Sequence, residues 1–130
     1  MPSYFNKKQA ICIDDDPHAR YLLKKLLKDN GFVVFEASDG EKGLNILQKN
    51  IGIEFVFIDL KMPVLDGYSF LRIINNDVHY ANLKIVVIAT CTAEEFIQAS
   101  EMKGVKTNQI IFIVEKPIDL KKMAQVMKLV

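Results

Sequence analysis

Five short apolar runs rich in β-branched residues recur along the chain, and a stretch of helical period separates each from the next. The runs are Ala10–Ile13, Phe32–Phe35, Ile53–Ile58, Ile85–Ala89 and Ile110–Val114. Continuous apolar character of this kind suits strands covered on both faces, as in a parallel sheet sandwiched between helices. Between the runs, Leu22, Leu23, Leu26 and Leu27 form one helical stripe, Leu44 and Leu47 a second, and Phe70, Leu71, Ile73 and Ile74 a third. Phe96, Ile97 and Met102 mark a fourth, and Leu120, Met123, Ala124, Met127 and Val130 the last. All are read as core-facing. Five βα units with right-handed crossovers close as an open doubly wound sheet, because an eight-fold barrel needs roughly 250 residues and this chain has 130.

Local punctuation agrees with the alternation. Asp16-Pro17 reads as a helix N-cap followed by proline at the first helical position. Asn30-Gly31 stops that helix. Ser38-Asp39-Gly40 starts the second helix, and Asp119 caps the fifth. Thr92 and Glu95 have the spacing of a capping box. No repeat, low-complexity tract or Gly/Ser/Pro-rich linker divides the chain, so residues 1–130 are read as a single domain.

Composition narrows the function classes. There are 17 Lys and Arg against 16 Asp and Glu, a net charge of +1, so the basic excess expected of a direct nucleic-acid binder is missing. No apolar run approaches the ~20 residues of a membrane span, and the first residues lack the apolar core of a secretion signal. Two cysteines do not make a disulfide framework, which points to a reducing cytoplasm.

Two buried runs end in acid. Ile11-Cys12-Ile13 leads into Asp14-Asp15-Asp16, and Phe55-Val56-Phe57-Ile58 leads into Asp59. In a parallel sheet these acids share the carboxyl edge. Ligands of open α/β sheets bind at that edge where the strand order reverses, which in a flavodoxin-like order of 2-1-3-4-5 lies between the first and third strands. Clustered carboxylates repel one another and call for a cation. Hard oxygen donors favour Mg²⁺ over zinc. Lys116, after the fifth run, and a hydroxyl at Thr90 or Thr92, after the fourth, complete a set suited to phosphoryl chemistry. A carboxylate can itself be the nucleophile and become an acyl phosphate.

Three segments, in order, resemble the receiver domains of two-component response regulators: Ile11-Cys12-Ile13-Asp14-Asp15-Asp16-Pro17, Ile58-Asp59-Leu60-Lys61-Met62-Pro63-Val64-Leu65-Asp66-Gly67, and Glu115-Lys116-Pro117. The resemblance spans nearly the whole chain. It implies that Asp59 is the phosphoacceptor and that Asp14 and Asp15 are the acidic pair binding Mg²⁺. Asp15 would ligate the ion directly, Asp14 mainly through water, and the backbone carbonyl of Lys61 would be a further ligand. The rival pair is Asp15 with Asp16, but Asp16 already serves as the cap before Pro17. The resemblance further implies that Lys116 meets the phosphoryl oxygens, that the Lys116–Pro117 peptide is cis, and that Thr90 follows the phosphoryl group while Thr92 caps a helix. Its implied partners are a sensor histidine kinase or phosphotransfer protein as donor, and a downstream protein target on the helix 4–strand 5–helix 5 face.

Several positions depart from the family pattern. Cys91 stands where receivers usually have a small residue such as alanine. Ile113 replaces the aromatic residue usual three places before the lysine. The segment Gly104–Ile111 is several residues longer than usual. Isoleucine is stiff at its first torsion and lacks a ring to exchange between buried and exposed positions. Coupling from Asp59 to the output surface is therefore expected through loop movement after Thr90 and in Gly104–Ile111. Cys12 and Cys91 fall on the first and fourth strands, about 10 Å apart, and are expected to stay as thiols. Other function classes are a degenerate receiver that binds protein without phosphorylation and a small aspartyl-phosphate phosphohydrolase. The second usually needs an aspartate two residues after the nucleophile, where this chain has Lys61. A nucleotide-binding flavodoxin-like protein fits least, because Asp-Asp-Asp-Pro stands where a Gly-rich anion cradle belongs.

Overall fold

A computed structural model describes residues 7–130. The elements follow in the order β1 (Gln9–Ile13), α1 (Pro17–Asp29), β2 (Val33–Ala37), α2 (Gly40–Lys49), β3 (Phe55–Asp59), α3 (Gly67–Asn75), a 3₁₀ turn (Val78–Tyr80), β4 (Lys84–Ala89), α4 (Ala93–Met102), β5 (Ile110–Glu115) and α5 (Leu120–Leu129). All five strands are parallel, in the order β2-β1-β3-β4-β5. The flavodoxin-like class and strand order expected from the sequence are borne out.

Strand alternation sends successive side chains to opposite faces, which makes two cores. Ile11, Ile13, Val56, Ile58, Ile85 and Val87 pack beneath Leu47 of α2, Phe70 and Ile74 of α3 and Phe96 of α4. On the other face Ala10, Cys12, Phe57 and Ile88 pack against Leu23 and Leu27 of α1 and Met123 and Val126 of α5. Each fully buried Phe or Ile contributes roughly 1.5–3 kcal/mol relative to exposure. The strands buried on both faces are β1, β3 and β4. The other two, β2 and β5, lie at the sheet edges and are only partly covered, so the expectation of full burial fails for them.

The caps form where the sequence places them. Asp16, Asp39, Thr92 and Asp119 are the N-caps of α1, α2, α4 and α5, and Thr92 with Glu95 completes a capping box. Cys12 and Cys91 are free thiols, the first buried.

The helical stripes need correction. Leu22, Ile73, Ile97, Met102 and Leu120, read as core, are exposed, Ile97 by 52% and Met102 by 88%. The phase of α4 is set by Phe96, which is fully buried, and one turn later the buried position is Ser100 rather than an apolar residue. Ile97 and Met102 lie off that line. Ala124 of α5 is exposed for the same reason, since Met123 and Val126 take the inward positions.

The long Gly104–Ile111 segment is pinned rather than loose. The Lys106 amide donates to Asn75 Oδ1 at 2.8 Å, Asn75 Nδ2 donates to Gln109 Oε1 at 3.3 Å, and Gln109 Nε2 donates to the Tyr80 carbonyl at 2.7 Å. The pairing register shifts at the start of β5. Ile85 pairs with Ile110 but Val86 pairs with Phe112, leaving Ile111 as a bulge.

The β3–α3 loop stores strain. Val64 has φ 68°, the one non-glycine residue with positive φ among those described. Its neighbours close a three-residue turn, with the Leu65 amide donating to the Pro63 carbonyl at 2.8 Å. A β-branched residue is poorly suited to such a turn. Relief of about 1–3 kcal/mol of strain outweighs the roughly 0.5–1 kcal/mol entropic cost of glycine. Val64→Gly is therefore expected to raise stability by about 1 kcal/mol in urea unfolding. A loss of stability would show that the turn is unstrained.

Candidate functional site

The strand order makes β1 and β3 direct neighbours, so two acidic segments far apart in sequence meet at one edge. Asp14 directly follows β1, and Asp59 is the last residue of β3. Carboxylate oxygens of Asp14, Asp15 and Asp59 all lie within 4.8 Å of one another. Asp14 and Asp59 are buried, while Asp15 faces solvent. Asp16 stands apart as the α1 cap, its side chain accepting from the His18 amide at 3.0 Å.

Lys116 supplies the countercharge. Its backbone amide donates to the Ala89 carbonyl at 2.7 Å, which ties the end of β5 to the end of β4. The Lys116–Pro117 peptide is cis. The ammonium lies 2.9 Å from Asp14 Oδ2 and 3.5 Å from Asp59 Oδ1. Burial pushes the Asp59 carboxyl above its ordinary value, and the charges of Asp14 and Asp15 push the same way. The Lys116 charge and a backbone hydrogen bond from Leu60 oppose them without prevailing. Burial alone would lower Lys116, but its hydrogen bond to Asp14 and the nearby Asp59 and Asp14 charges win and raise it.

Three carboxylates facing one ammonium leave a formal excess of two negative charges. All three donors are hard oxygens, and this donor set fits Mg²⁺. Thr90 sits just beyond β4, exposed, at the same edge. Lys61 is exposed in the loop after β3. Among the described residues, no hydrogen bond joins the side chain of either to the acids.

Backbone contacts build the rim. The Gly67 amide donates to the Leu60 carbonyl at 2.9 Å, and the Gly40 amide donates to the Leu65 carbonyl at 3.3 Å. Asp66 caps α3 by accepting from the Ser69 amide at 2.8 Å. A family model, the response regulator receiver domain, matches residues 10–128.

The chain belongs to the response regulator receiver family.

Its relatives agree. Chemotaxis protein CheV3 of Helicobacter pylori is 34% identical over 107 residues, which cover 75% of this chain and 34% of CheV3. The chain therefore spans about a third of that relative's length. Among solved structures, Vibrio cholerae chemotaxis protein CheY4 superposes with a TM-score of 0.80 at 23% identity, over 95% of this chain and 98% of that one. The Borrelia burgdorferi CheX–CheY–BeF3–Mg²⁺ complex matches with a TM-score of 0.76 at 25% identity, over 94% and 88%. The chain is thus a receiver domain of two-component signalling, and such domains are signalling proteins rather than classical enzymes. Among the described residues no helix is long and apolar enough to cross a membrane.

Sequence reasoning missed two charged residues beside the site, Arg20 and Glu36. Arg20 Nη1 donates to the Asp14 carbonyl at 2.6 Å, and its Nε donates to Glu36 Oε1 at 3.3 Å. A signal was present: Glu36 is the one charged residue in β2, Val-Val-Phe-Glu-Ala.

Proposed function

We propose that this receiver is a phosphorylation-controlled switch in which Asp59 takes a phosphoryl group from the phosphohistidine of a sensor kinase or phosphotransfer protein. The observation carrying this reading is the burial of Asp59 within 4.8 Å of two further carboxylates, with the Lys116 ammonium at 3.5 Å. A carboxylate oxygen of Asp59 attacks phosphorus, the phosphorus–nitrogen bond to the donor imidazole breaks, and the departing nitrogen keeps the electron pair. The product is an acyl phosphate.

The residues divide the work by charge. Asp14, Asp15, Asp59 and the Lys61 carbonyl would hold Mg²⁺, which supplies charge neutralisation for the transferring group. Lys116 pairs with a phosphoryl oxygen once the charge of Asp59 has become that of a phosphate. Thr90, at the end of β4, donates its hydroxyl to another. Pulling Thr90 and Lys116 toward the new group shifts the loop after Thr90 and the Gly104–Ile111 segment, which carries the signal to the α4–β5–α5 face. A cleft of about 210 Å³ lies on that face, lined in part by Ala93, Phe112, Lys122 and Gln125. It is the proposed surface for a downstream protein target. In the Borrelia complex a CheY is bound to a second protein, CheX.

Incubation with acetyl phosphate and Mg²⁺ tests the reading by intact mass. One added phosphoryl group is expected, and EDTA should abolish it. A chain that gains no mass while remaining folded is a protein-binding module instead.

A further inference from the structure

Every oxygen of Asp14 is already engaged within the protein. Oδ1 accepts from the Asp16 amide at 2.9 Å, Oδ2 pairs with Lys116 at 2.9 Å, and the backbone carbonyl accepts from Arg20 Nη1 at 2.6 Å. The bond to Arg20 spans the first turn of α1. On its other edge the guanidinium holds Glu36, whose second oxygen accepts from Lys24 Nζ at 2.6 Å. Glu36 is fixed in turn by the sheet, paired in register with Cys12 of β1. The hydrogen bond from Lys24 outweighs burial, and with the charges of Lys24 and Arg20 it holds the Glu36 carboxyl below its ordinary value. Glu36 is therefore a charged anchor at neutral pH.

We propose that Arg20 is a positioning residue for the metal-binding acids, locking the Asp14 carbonyl, and with it the backbone that carries Asp14 and Asp15, to β2 through Glu36. The proposal rests on the Mg²⁺ reading of the acidic pocket. Asp14 and Asp15 sit where β1 gives way to α1, a junction where the Asp14 amide also donates to the Ala37 carbonyl at 3.1 Å. A planar guanidinium can bridge a carbonyl and a carboxylate at fixed angles, which a lysine ammonium cannot.

Positioning and simple charge make opposite predictions here. Arg20 carries a positive charge at the edge of the acidic pocket, bonded to the Asp14 carbonyl, so by charge alone its removal should strengthen Mg²⁺ binding. If it positions the ligands, its removal should weaken binding, because outer partners of metal ligands typically govern 10–100-fold in affinity.

Calorimetric titration with MgCl2 separates the two. Arg20→Met is expected to raise the Mg²⁺ dissociation constant about tenfold or more. Arg20→Lys, which keeps the charge but not the bridge, should also weaken binding. Glu36→Gln, which loosens the anchor while leaving the carbonyl bond, should do so less. In the acetyl phosphate reaction, Arg20→Met should shift the Mg²⁺ concentration for half-maximal rate more than the rate at saturating Mg²⁺. A general loss of folding would not produce that split. Equal or tighter binding by the Arg20 variants, beside a wild type that binds, overturns the positioning role alone. A wild type that binds no Mg²⁺ overturns the metal reading and this proposal with it.

Discussion

Asp59→Asn is expected to gain no phosphoryl group from acetyl phosphate and Mg²⁺ under conditions in which the wild-type chain gains one. The amide keeps the shape of the side chain but has no anionic oxygen to attack phosphorus. Its second consequence is less obvious. Asp59 is held above its ordinary value chiefly by burial, with Asp14 and Asp15 adding to the effect. A carboxyl raised on folding binds its proton more tightly in the folded state, so stability falls as pH rises from the unfolded value through the folded one. Above that range the loss is complete. Removing the charge should therefore leave the Mg²⁺-free protein as stable as wild type or more so, with Lys116 still paired to Asp14 at 2.9 Å. Added Mg²⁺ should then stabilise wild type and have little effect on the variant. Intact mass and thermal unfolding with and without Mg²⁺ read both effects. Equal labelling of the two proteins would move the phosphosite elsewhere.

Gly67→Ala should produce the largest stability change of any single methyl addition near the site. A Cβ there would lie 2.6 Å from the Asp59 carbonyl oxygen and 2.7 Å from Leu60 Cα. Both are backbone atoms at the end of β3, so neither can swing aside as a flexible side chain would. The Gly67 amide also donates to the Leu60 carbonyl at 2.9 Å, and the added methyl pushes against that contact. Overpacking of this kind typically costs about 1–3 kcal/mol, and the rigid neighbours put this site at the upper end. Urea unfolding should show a loss of about 3 kcal/mol, while Gly31→Ala, with φ 86° and nothing within 4 Å, should lose only about 1 kcal/mol. The Gly67 variant should also phosphorylate poorly, because the atoms displaced carry Asp59. A loss below 1 kcal/mol would refute the close-packing argument.

Much of the architecture was legible because it is written in short-range patterns. Ile11-Cys12-Ile13 and Phe55-Val56-Phe57-Ile58 are apolar on both faces, which restricts them to interior strands, and each runs into acid. The caps Asp16, Asp39, Thr92 and Asp119 were readable because a cap is a contact between residues two or three apart. The acids after β1 and at the end of β3 were expected to meet because strand ends in this topology share one edge, and the resemblance to receivers singled out Asp14, Asp15, Asp59 and Lys116 among them.

Other features depend on contacts the local pattern does not carry. Ile97 and Met102 looked like core because they are apolar, yet the rotation of α4 is set by Phe96 against the sheet, and that rotation buries Ser100 instead. The strand ends were placed within one or two residues, but β2 and β5 are edges, and their position in the sheet rather than their composition limits their burial. The bulge at Ile111 and the network through Asn75 and Gln109 were not visible in the sequence. By itself the sequence determined the alternation of elements, their caps and the acids at the strand ends, since each follows from backbone preference and hydrophobic period over a few residues. Only the tertiary structure decided which way each helix turned, that Gly67 must approach the backbone of Asp59, and that Arg20 and Glu36 meet beside Asp14, because those depend on distances between segments that no local period encodes.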